Sequence, residues 1–333
     1  MNKIYALAII MLTMFIISCG EPNSPESLTG DDGGYKIVSK YVTAGYAQDV
    51  VMKDTLLFIA QGEGGLLIVS VADPGNPKLI STKITDIRGY SAKIDIKDSV
   101  IYLAAGNFGV SVVDVSDAYN PEVTNYNLPM KPAKSFYIMG DFLFTCVSEL
   151  GYNISDISYP TQPDVRATNI TPGYCQAVVT TKDTSYLLAA CGEMGFAMVD
   201  IKDFQLGFGT YRTCGWRDTP GYAVDIVRHP DLPIAYLACG TGGLSIVDFS
   251  DTADVKLLSN YKSGGYAKEI LYENNKIYLT TETRGLQIFD VTNPSSPVRI
   301  GTVPTAFSMG ICVDNSYIYI ADEVEGILVI KKP

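Results

Sequence analysis

The 333-residue chain has one histidine, one tryptophan and a deficit of positive charge, with 25 basic against 36 acidic residues and a net charge of −11. A single histidine excludes multi-histidine metal sites and leaves one candidate for a histidine-based triad. An acidic chain without a basic patch argues against binding to nucleic acid. The sequence also lacks a Cys-x-x-Cys pair, a phosphate-binding loop, a dinucleotide fingerprint and a Gly-x-Ser-x-Gly elbow. We therefore predict no metal, no cofactor and no catalytic residue.

The amino terminus carries a targeting segment. Lys3 precedes an apolar run of 14 residues, Ile4 to Ile17, which is too short for a bilayer span of about 20 residues. A short apolar run behind a positive residue is typical of a secretory signal peptide. The following stretch, residues 20–34, is rich in Pro, Ser, Gly and acidic residues and is typical of a flexible tether.

The signal ends in Ile16-Ile17-Ser18-Cys19, which resembles the lipobox of bacterial lipoprotein precursors. The resemblance implies a signal peptide over residues 1–18, cleavage before Cys19, and a lipid on Cys19 that anchors the mature chain to the membrane of the cell envelope. Residues 19–34 are then the lipidated cysteine and its tether. Gly20 stands where the resemblance would place the aspartate of an inner-membrane retention signal, which favours the outer membrane. The alternative is an ordinary secretory signal.

The mature chain repeats with a period of 41 to 48 residues. Each unit opens with a Gly-aromatic pair or a variant of it: Gly45-Tyr46, Gly89-Tyr90, Lys131-Pro132, Gly173-Tyr174, Gly221-Tyr222, Gly265-Tyr266 and Ala306-Phe307. Short runs rich in β-branched and aromatic residues follow, separated by Gly, Asp, Asn and Pro, with no helical period. Four antiparallel strands in about 44 residues make one propeller blade. We predict an all-β, seven-bladed β-propeller over residues 35–333.

The ends of the chain predict how the ring closes. The last repeat has three strands, whereas Lys36–Tyr41 precedes the first repeat as a lone strand that matches Lys256–Tyr261 position for position. We therefore expect the amino-terminal strand to complete the last blade, which leaves no open edge between the ends.

One run identifies a family resemblance. Leu244-Ser245-Ile246-Val247-Asp248, with its counterparts in the other units, resembles the LVIVD repeat. The resemblance covers about residues 35–333 and implies a secreted or surface-anchored propeller; it implies no common activity.

Two sets of loops should meet at one face, around the mouth of the central channel. One set carries the aromatic ring Tyr46, Tyr90, Tyr174, Tyr222, Tyr266 and Phe307, and the other carries Glu63, Asn107, Glu149, Glu193, Glu282 and Glu323. The aromatic ring can stack on a peptide or a sugar, or it belongs to the repeat and packs between blades. The acidic set can bind a cation or a basic partner, or it is a solvated surface.

Several residues depart from the repeat. We expect Asp49, Asp225 and Glu269 to point into the channel, and Lys93, Lys131 and Lys134 to make its entrance locally basic. The segment Thr213–Pro220, interpreted as an inserted loop, holds Trp216 and Arg217, a candidate recognition hot spot. Trp216 can equally anchor the loop on the rim.

The cysteines leave two interpretations open. Cys175 and Cys191 lie symmetrically about Asp183 and are expected opposite each other, whereas Cys214 is expected near Cys239. Six cysteines besides Cys19 permit disulfides in an exported protein, but buried free thiols are the alternative.

Together these features predict a non-catalytic envelope module that binds a protein or peptide. The alternative is a glycan-binding or carbohydrate-active propeller that uses the aromatic and acidic ring. The histidine, His229, is expected on the opposite face from the mouth.

Overall fold

The structure, a computed structural model, describes residues 31–128, 130–202 and 211–333. These residues form 28 strands in seven four-stranded antiparallel sheets, which confirms the predicted seven-bladed propeller. The predicted signal peptide, Cys19 and most of the predicted tether lie outside the described residues. Within the described ranges, no helix is long and apolar enough to cross a membrane.

Blades 1 to 6 each consist of four consecutive strands, from the innermost at the channel to the outermost. In blades 1 to 3 the strands are β2 (Asp49–Lys53), β3 (Leu56–Ala60), β4 (Leu66–Ser70) and β5 (Lys78–Lys83); β6 (Lys93–Lys97), β7 (Val100–Ala104), β8 (Val110–Asp114) and β9 (Glu122–Leu128); β10 (Ser135–Met139), β11 (Phe142–Cys146), β12 (Tyr152–Asp156) and β13 (Asp164–Asn169). In blades 4 to 6 they are β14 (Ala177–Thr180), β15 (Tyr186–Ala190), β16 (Phe196–Asp200) and β17 (Arg212–Arg217); β18 (Asp225–Arg228), β19 (Ile234–Ala238), β20 (Leu244–Asp248) and β21 (Lys256–Tyr261); β22 (Glu269–Glu273), β23 (Lys276–Thr280), β24 (Leu286–Asp290) and β25 (Val298–Val303). Blade 7 consists of β26 (Ser308–Val313), β27 (Tyr317–Asp322), β28 (Gly326–Lys331) and β1 (Lys36–Tyr41).

The second and third strands form the core because they are covered on both faces by neighbouring blades. They read as nearly continuous apolar runs, and all five residues of β7 are buried. In the part of the chain described, an apolar cluster fills the interface between each pair of adjacent blades, blades 7 and 1 included. Burial of this apolar surface is the main source of stability. Because each interface between adjacent blades is filled, the ring of blades is continuous.

Strand β1 closes the ring, as predicted. It pairs antiparallel with β28, and Lys36 lies opposite Lys331. A bulge between Ile37 and Ser39 repeats the bulge between Leu257 and Ser259 in blade 5. The amino-terminal strand therefore reproduces the geometry of an ordinary fourth strand.

The aspartate that ends most third strands has a structural role. Its carboxylate accepts a hydrogen bond from the backbone N–H two residues later, as Asp248 does from Ser250 at 2.8 Å and Asp290 does from Thr292 at 2.8 Å. Such an Asx turn directs the chain away from the sheet towards the fourth strand.

The prediction that Thr213–Pro220 is an inserted loop is wrong. Arg212–Arg217 is β17, the fourth strand of blade 4, in which Trp216 lies opposite Ala197. The extra residues of this repeat come before β17, between Asp200 and Arg212. The strand is polar because it lies at the outer edge of its blade, where an apolar run is not required.

Candidate functional site

One face of the propeller collects both predicted sets of loops; we call it the mouth face. The turn between the second and third strands of a blade forms a backbone bridge with the loop that leads into the next blade. Among the described residues these bridges are Gly62 with Ser91, Gly106 with Ala133, Ser148 with Cys175, Gly192 with Ala223, Gly240 with Ala267 and Glu282 with Ser308. The backbone therefore fixes acidic turns beside aromatic loops around the channel.

The aromatic ring lies on this face and also packs between blades. The rings of Tyr90 and Tyr222 lie against Gly62 and Gly192 of the preceding blades, and an added Cβ would lie 2.6 and 2.8 Å from them. Burial and the nearby carboxylates of Glu323 and Glu63 raise the pKa of Tyr90. The set of aromatic residues is therefore part of the packing between blades. Its tyrosines also keep exposed surface, and Tyr46 is 59% exposed. Tyr266 packs in the same way on Gly240, and Phe307 is half-buried.

The turns on the mouth face carry a feature that sequence reasoning missed. The residue after Asn107, Glu149 and Glu193 is a large apolar side chain in blades 2, 3 and 4: Phe108, Leu150 and Met194, which are 55%, 51% and 37% exposed. Blade 1 has Gly64 at this position. Aligning the repeats on their turn glycines would have revealed the pattern.

Blades 3 and 4 enclose a pocket of about 320 Å³ beside these side chains. Its lining includes Glu149, Glu193, Tyr174 and Met194, so the structure brings together three residues that the sequence singled out separately. Hydrogen bonds from its own backbone N–H and from Ser148 lower the pKa of Glu149. The pocket therefore combines two carboxylates with apolar and aromatic side chains.

Trp216 borders the same region. Its indole Nε1 donates a hydrogen bond to the Met194 carbonyl at 2.7 Å, while 47% of the residue stays exposed. In blade 5, Asn260 occupies the equivalent strand position and donates from Nδ2 to the Gly242 carbonyl at 3.0 Å. Blades 4 and 5 therefore each make this hydrogen bond from the fourth strand to the turn, whereas the exposed indole belongs to blade 4. Arg217 beside it is exposed.

The channel contains a charged ring formed by Asp49, Lys93, Asp225 and Glu269, one residue from each of four first strands. Lys93 Nζ lies 2.6 Å from Glu269 Oε2 and 3.3 Å from Asp49 Oδ2. Asp225 Oδ2 accepts a hydrogen bond from the backbone N–H of Ile270 at 2.9 Å. Lys93 is therefore inside the channel, and the prediction that it makes the entrance basic is wrong: its position matches Asp49 in the repeat.

The electrostatics of the ring follow from burial. Burial lowers the pKa of Lys93, but the carboxylates of Asp49 and Glu269 outweigh this effect and hold it above its ordinary value. Burial raises the pKa of Asp225 and Glu269, and the Lys93 ammonium opposes that rise. Lys93 is charged, and the carboxylates of Asp225 and Glu269 hold protons more strongly than exposed ones do.

The charged ring separates two spaces. On the mouth side lies a cavity of about 220 Å³, which we call the mouth chamber. On the other side lies a cavity of about 640 Å³, lined in part by Asp95, Tyr137 and Arg228. His229 follows Arg228 at that end, where its Nδ1 accepts hydrogen bonds from the backbone N–H groups of Asp231 and Leu232. The histidine therefore shapes a turn on the face opposite the mouth, as predicted.

The structure does not support the predicted opposition of Cys175 and Cys191. The hairpin pairs Ala177 with Ala190, so its centre falls half a residue beyond Asp183. Cys175 Sγ instead lies 3.1 Å from Cys146 Sγ across the interface between blades 3 and 4.

In the described residues all six cysteines are free thiols: Cys146, Cys175, Cys191, Cys214, Cys239 and Cys312. Cys214 and Cys239 share one apolar cluster, but Cys239 Sγ donates to Thr219 Oγ1 at 3.4 Å. No group of three or more metal-ligating side chains occurs in the ranges that the structure covers.

Comparison with solved structures supports the propeller fold. Among solved structures, the chain is similar to the crystal structure of the computationally designed Ika8 protein, with a TM-score of 0.63 and 8% identity over 90% of this chain and 100% of that one. This likeness shows the fold alone. The search of curated proteins found no match.

A family model identifies the type of repeat. The family model of the LVIVD repeat matches residues 44–85, 234–263 and 264–305. The chain is therefore a seven-bladed β-propeller that carries LVIVD repeats, a fold that commonly mediates binding.

Proposed function

We propose that the chain is a lipid-anchored binding module of the cell envelope, with a protein or peptide partner held on the mouth face of blades 2 to 4. The anchor is the lipid on Cys19, and residues 20–34 are the tether. Outer-membrane attachment follows from Gly20. The module binds without catalysis.

One observation supports the proposed location of the binding surface. Phe108, Leu150 and Met194 stand at one turn position in three consecutive blades and are exposed, with the Trp216 indole beside Met194. Large exposed apolar side chains with a polar border are a feature of interaction sites, and Trp is enriched among residues that dominate binding energy.

The charge of the surface indicates the partner. Glu149 and Glu193 line the pocket next to Leu150 and Met194, and the whole chain has a net charge of −11. A segment with a lysine or arginine beside apolar side chains would match both features, since electrostatic complementarity steers encounter and selects partners.

Selection from a displayed random-peptide library tests this proposal. We expect enriched peptides to pair a basic residue with aromatic or aliphatic ones. The double variant Glu149→Gln/Glu193→Gln should weaken an enriched peptide at least about tenfold, as loss of charged hydrogen bonds does. The matched control Asp73→Asn/Asp117→Asn changes carboxylates in the turns between the third and fourth strands of blades 1 and 2. An equal loss in the control, or no enrichment at all, would count against the proposal.

A glycan is the alternative occupant, and one observation favours it. Tyr46 and Tyr90 are exposed, and Tyr90 lies near Tyr46 and the carboxylate of Glu63; aromatic rings beside acceptors suit sugar stacking. Binding on a glycan array that Tyr46→Ala abolishes and Leu150→Asp leaves unchanged would replace the peptide proposal.

The anchor has its own test. Cys19→Ala should move the chain from the membrane fraction to the soluble fraction, because the lipid would have no attachment point. Fractionation of cells followed by immunoblotting measures this, and a variant that stays in the membrane fraction would disprove the anchor.

A further inference from the structure

The mouth chamber is built differently from the acidic surface around it. Polar groups from the start of several first strands line it, and Ala92, Val224 and Met309 add an apolar wall. Its volume of about 220 Å³ is equivalent to about seven waters at roughly 30 Å³ each. The chamber therefore has room for a small organic group.

Three side-chain donors that line this chamber make no hydrogen bond to another described residue. Gln48 is 7% exposed, and its Nε2 makes no hydrogen bond. Lys134 and Lys268 line the chamber and form no ion pair with any residue that the structure covers. A buried donor without an acceptor costs about 1–3 kcal/mol, so the Gln48 amide is suited to an acceptor from outside, and the half-buried Lys268 and the exposed Lys134 add two positive charges.

Lys268 is half-buried. Burial lowers the pKa of its ammonium, whereas the carboxylates of Glu282, Glu269 and Glu323 oppose that shift. A bound anion would act in the same direction as those carboxylates.

The floor of the chamber does not satisfy these donors. Glu269 accepts the hydrogen bond from Lys93 at 2.6 Å, and Asp49 lies 3.3 Å from the same ammonium. Asp225, the remaining carboxylate, accepts the backbone N–H of Ile270. Because Asp225 and Glu269 face the chamber, a doubly charged anion would be repelled more than a singly charged one.

We propose that the mouth chamber binds a carboxylate, held by Lys134, Lys268 and Gln48 Nε2, with its aliphatic part against Val224 and Met309. A carboxylate only accepts hydrogen bonds and has about four lone-pair sites, and its bonds to ammonium groups are charge-assisted. Two sources supply this chemistry, a free small acid or the carboxyl terminus of a peptide. The site lies in the channel rather than on the surface of blades 2 to 4, although Lys134 is close enough to Glu149 to help lower the pKa of that carboxylate.

Isothermal titration calorimetry on the full chain in detergent tests the proposal. The probes are propionate, a pentapeptide with a free carboxyl terminus, the same peptide as its carboxamide, and inorganic phosphate. We expect saturable binding of at least one carboxylate and at least about tenfold weaker binding of the carboxamide. Propionate binding assigns a free acid, whereas binding of the peptide acid alone assigns a chain end.

Variants locate the binding. Lys268→Gln and Lys134→Gln should each weaken the carboxylate about tenfold or more, and Lys134 is exposed, so its variant tests the site even where Lys268→Gln misfolds. Lys78→Gln, an exposed lysine on the outer strand β5, should change nothing. Absence of carboxylate binding, tighter phosphate binding, equal binding of acid and carboxamide, or insensitivity to Lys134→Gln would overturn the proposal.

Discussion

Two halves of the mouth face share a backbone and differ in side chains. In blades 3 and 4 the turn positions hold Leu150 and Met194, whereas blades 5 and 6 hold Gly242 and Arg284. In all four turns this residue donates its backbone N–H to the carbonyl three residues earlier, at 2.8 to 3.2 Å. The fold thus accepts glycine, arginine or an apolar side chain equally, so the exposed apolar residues are not required by the turn. Residues that are the same in every blade stabilise the propeller. Residues that differ between blades are free to contact a partner.

The largest effect should come from removing the support common to both halves. Deletion of residues 35–41 removes β1 and the buried Tyr35, and leaves β28 with an unpaired edge. We expect Tm to fall by at least about 10 °C or the cooperative transition to disappear, since several kcal/mol of pairing and burial are lost. Circular dichroism on heating measures this, with deletion of residues 21–27 as control. An unchanged Tm would contradict closure by β1.

A smaller effect separates the tyrosines that pack between blades from the proposed binding surface. Gly192 and Gly106 have positive φ of 57° and 52° at the same turn position, but an added Cβ meets the Tyr222 ring at Gly192 and nothing within 4 Å at Gly106. Alanine at either site is strained by its backbone conformation. Gly192→Ala should cost about 1–3 kcal/mol more than Gly106→Ala because it also displaces the ring. Equal losses in urea unfolding would show that Tyr222 does not pack there.

Trp216 sharpens the comparison between blades 4 and 5. Trp216→Asn places the residue of blade 5 in blade 4, where its amide can donate to the Met194 carbonyl as Asn260 does to Gly242. We expect stability within about 0.5 kcal/mol of the native chain but at least about fivefold weaker peptide binding, because an exposed aromatic contact is lost. Binding that survives the exchange would restrict Trp216 to anchoring its strand.

The smallest expected effect lies in the channel, away from either half. Burial raises the pKa of Asp95 from 3.8 to about 6. The folded chain therefore binds this proton more tightly than the unfolded chain, and Asp95 lowers stability as pH rises from about 4 to 6. Asp95→Asn should raise Tm at pH 7.5 by about 2–4 °C, about 1 kcal/mol, and by less at pH 4. An equal gain at both pH values would contradict the raised pKa.

The sequence predicted the frame because the frame is what repeats. Seven blades, closure by Lys36–Tyr41 and a shared mouth face all follow from periodic residues whose burial recurs in each unit. The strand β17 was missed since an edge strand needs no apolar run, and Lys93 was misplaced because its side chain turns into the channel to meet Glu269. Cys175 and Cys191 were paired by symmetry in the chain, whereas the hairpin register depends on the turn.

The most direct test of the central claim compares two leucines in turns on opposite faces. Leu150 and Leu232 are 51% and 50% exposed, so aspartate at either position should have a similar small effect on folding. Titration of a peptide selected on the native chain should show Leu150→Asp weakening the affinity at least about tenfold and Leu232→Asp leaving it unchanged. Equal affinities for the two variants would contradict a binding surface on blades 2 to 4.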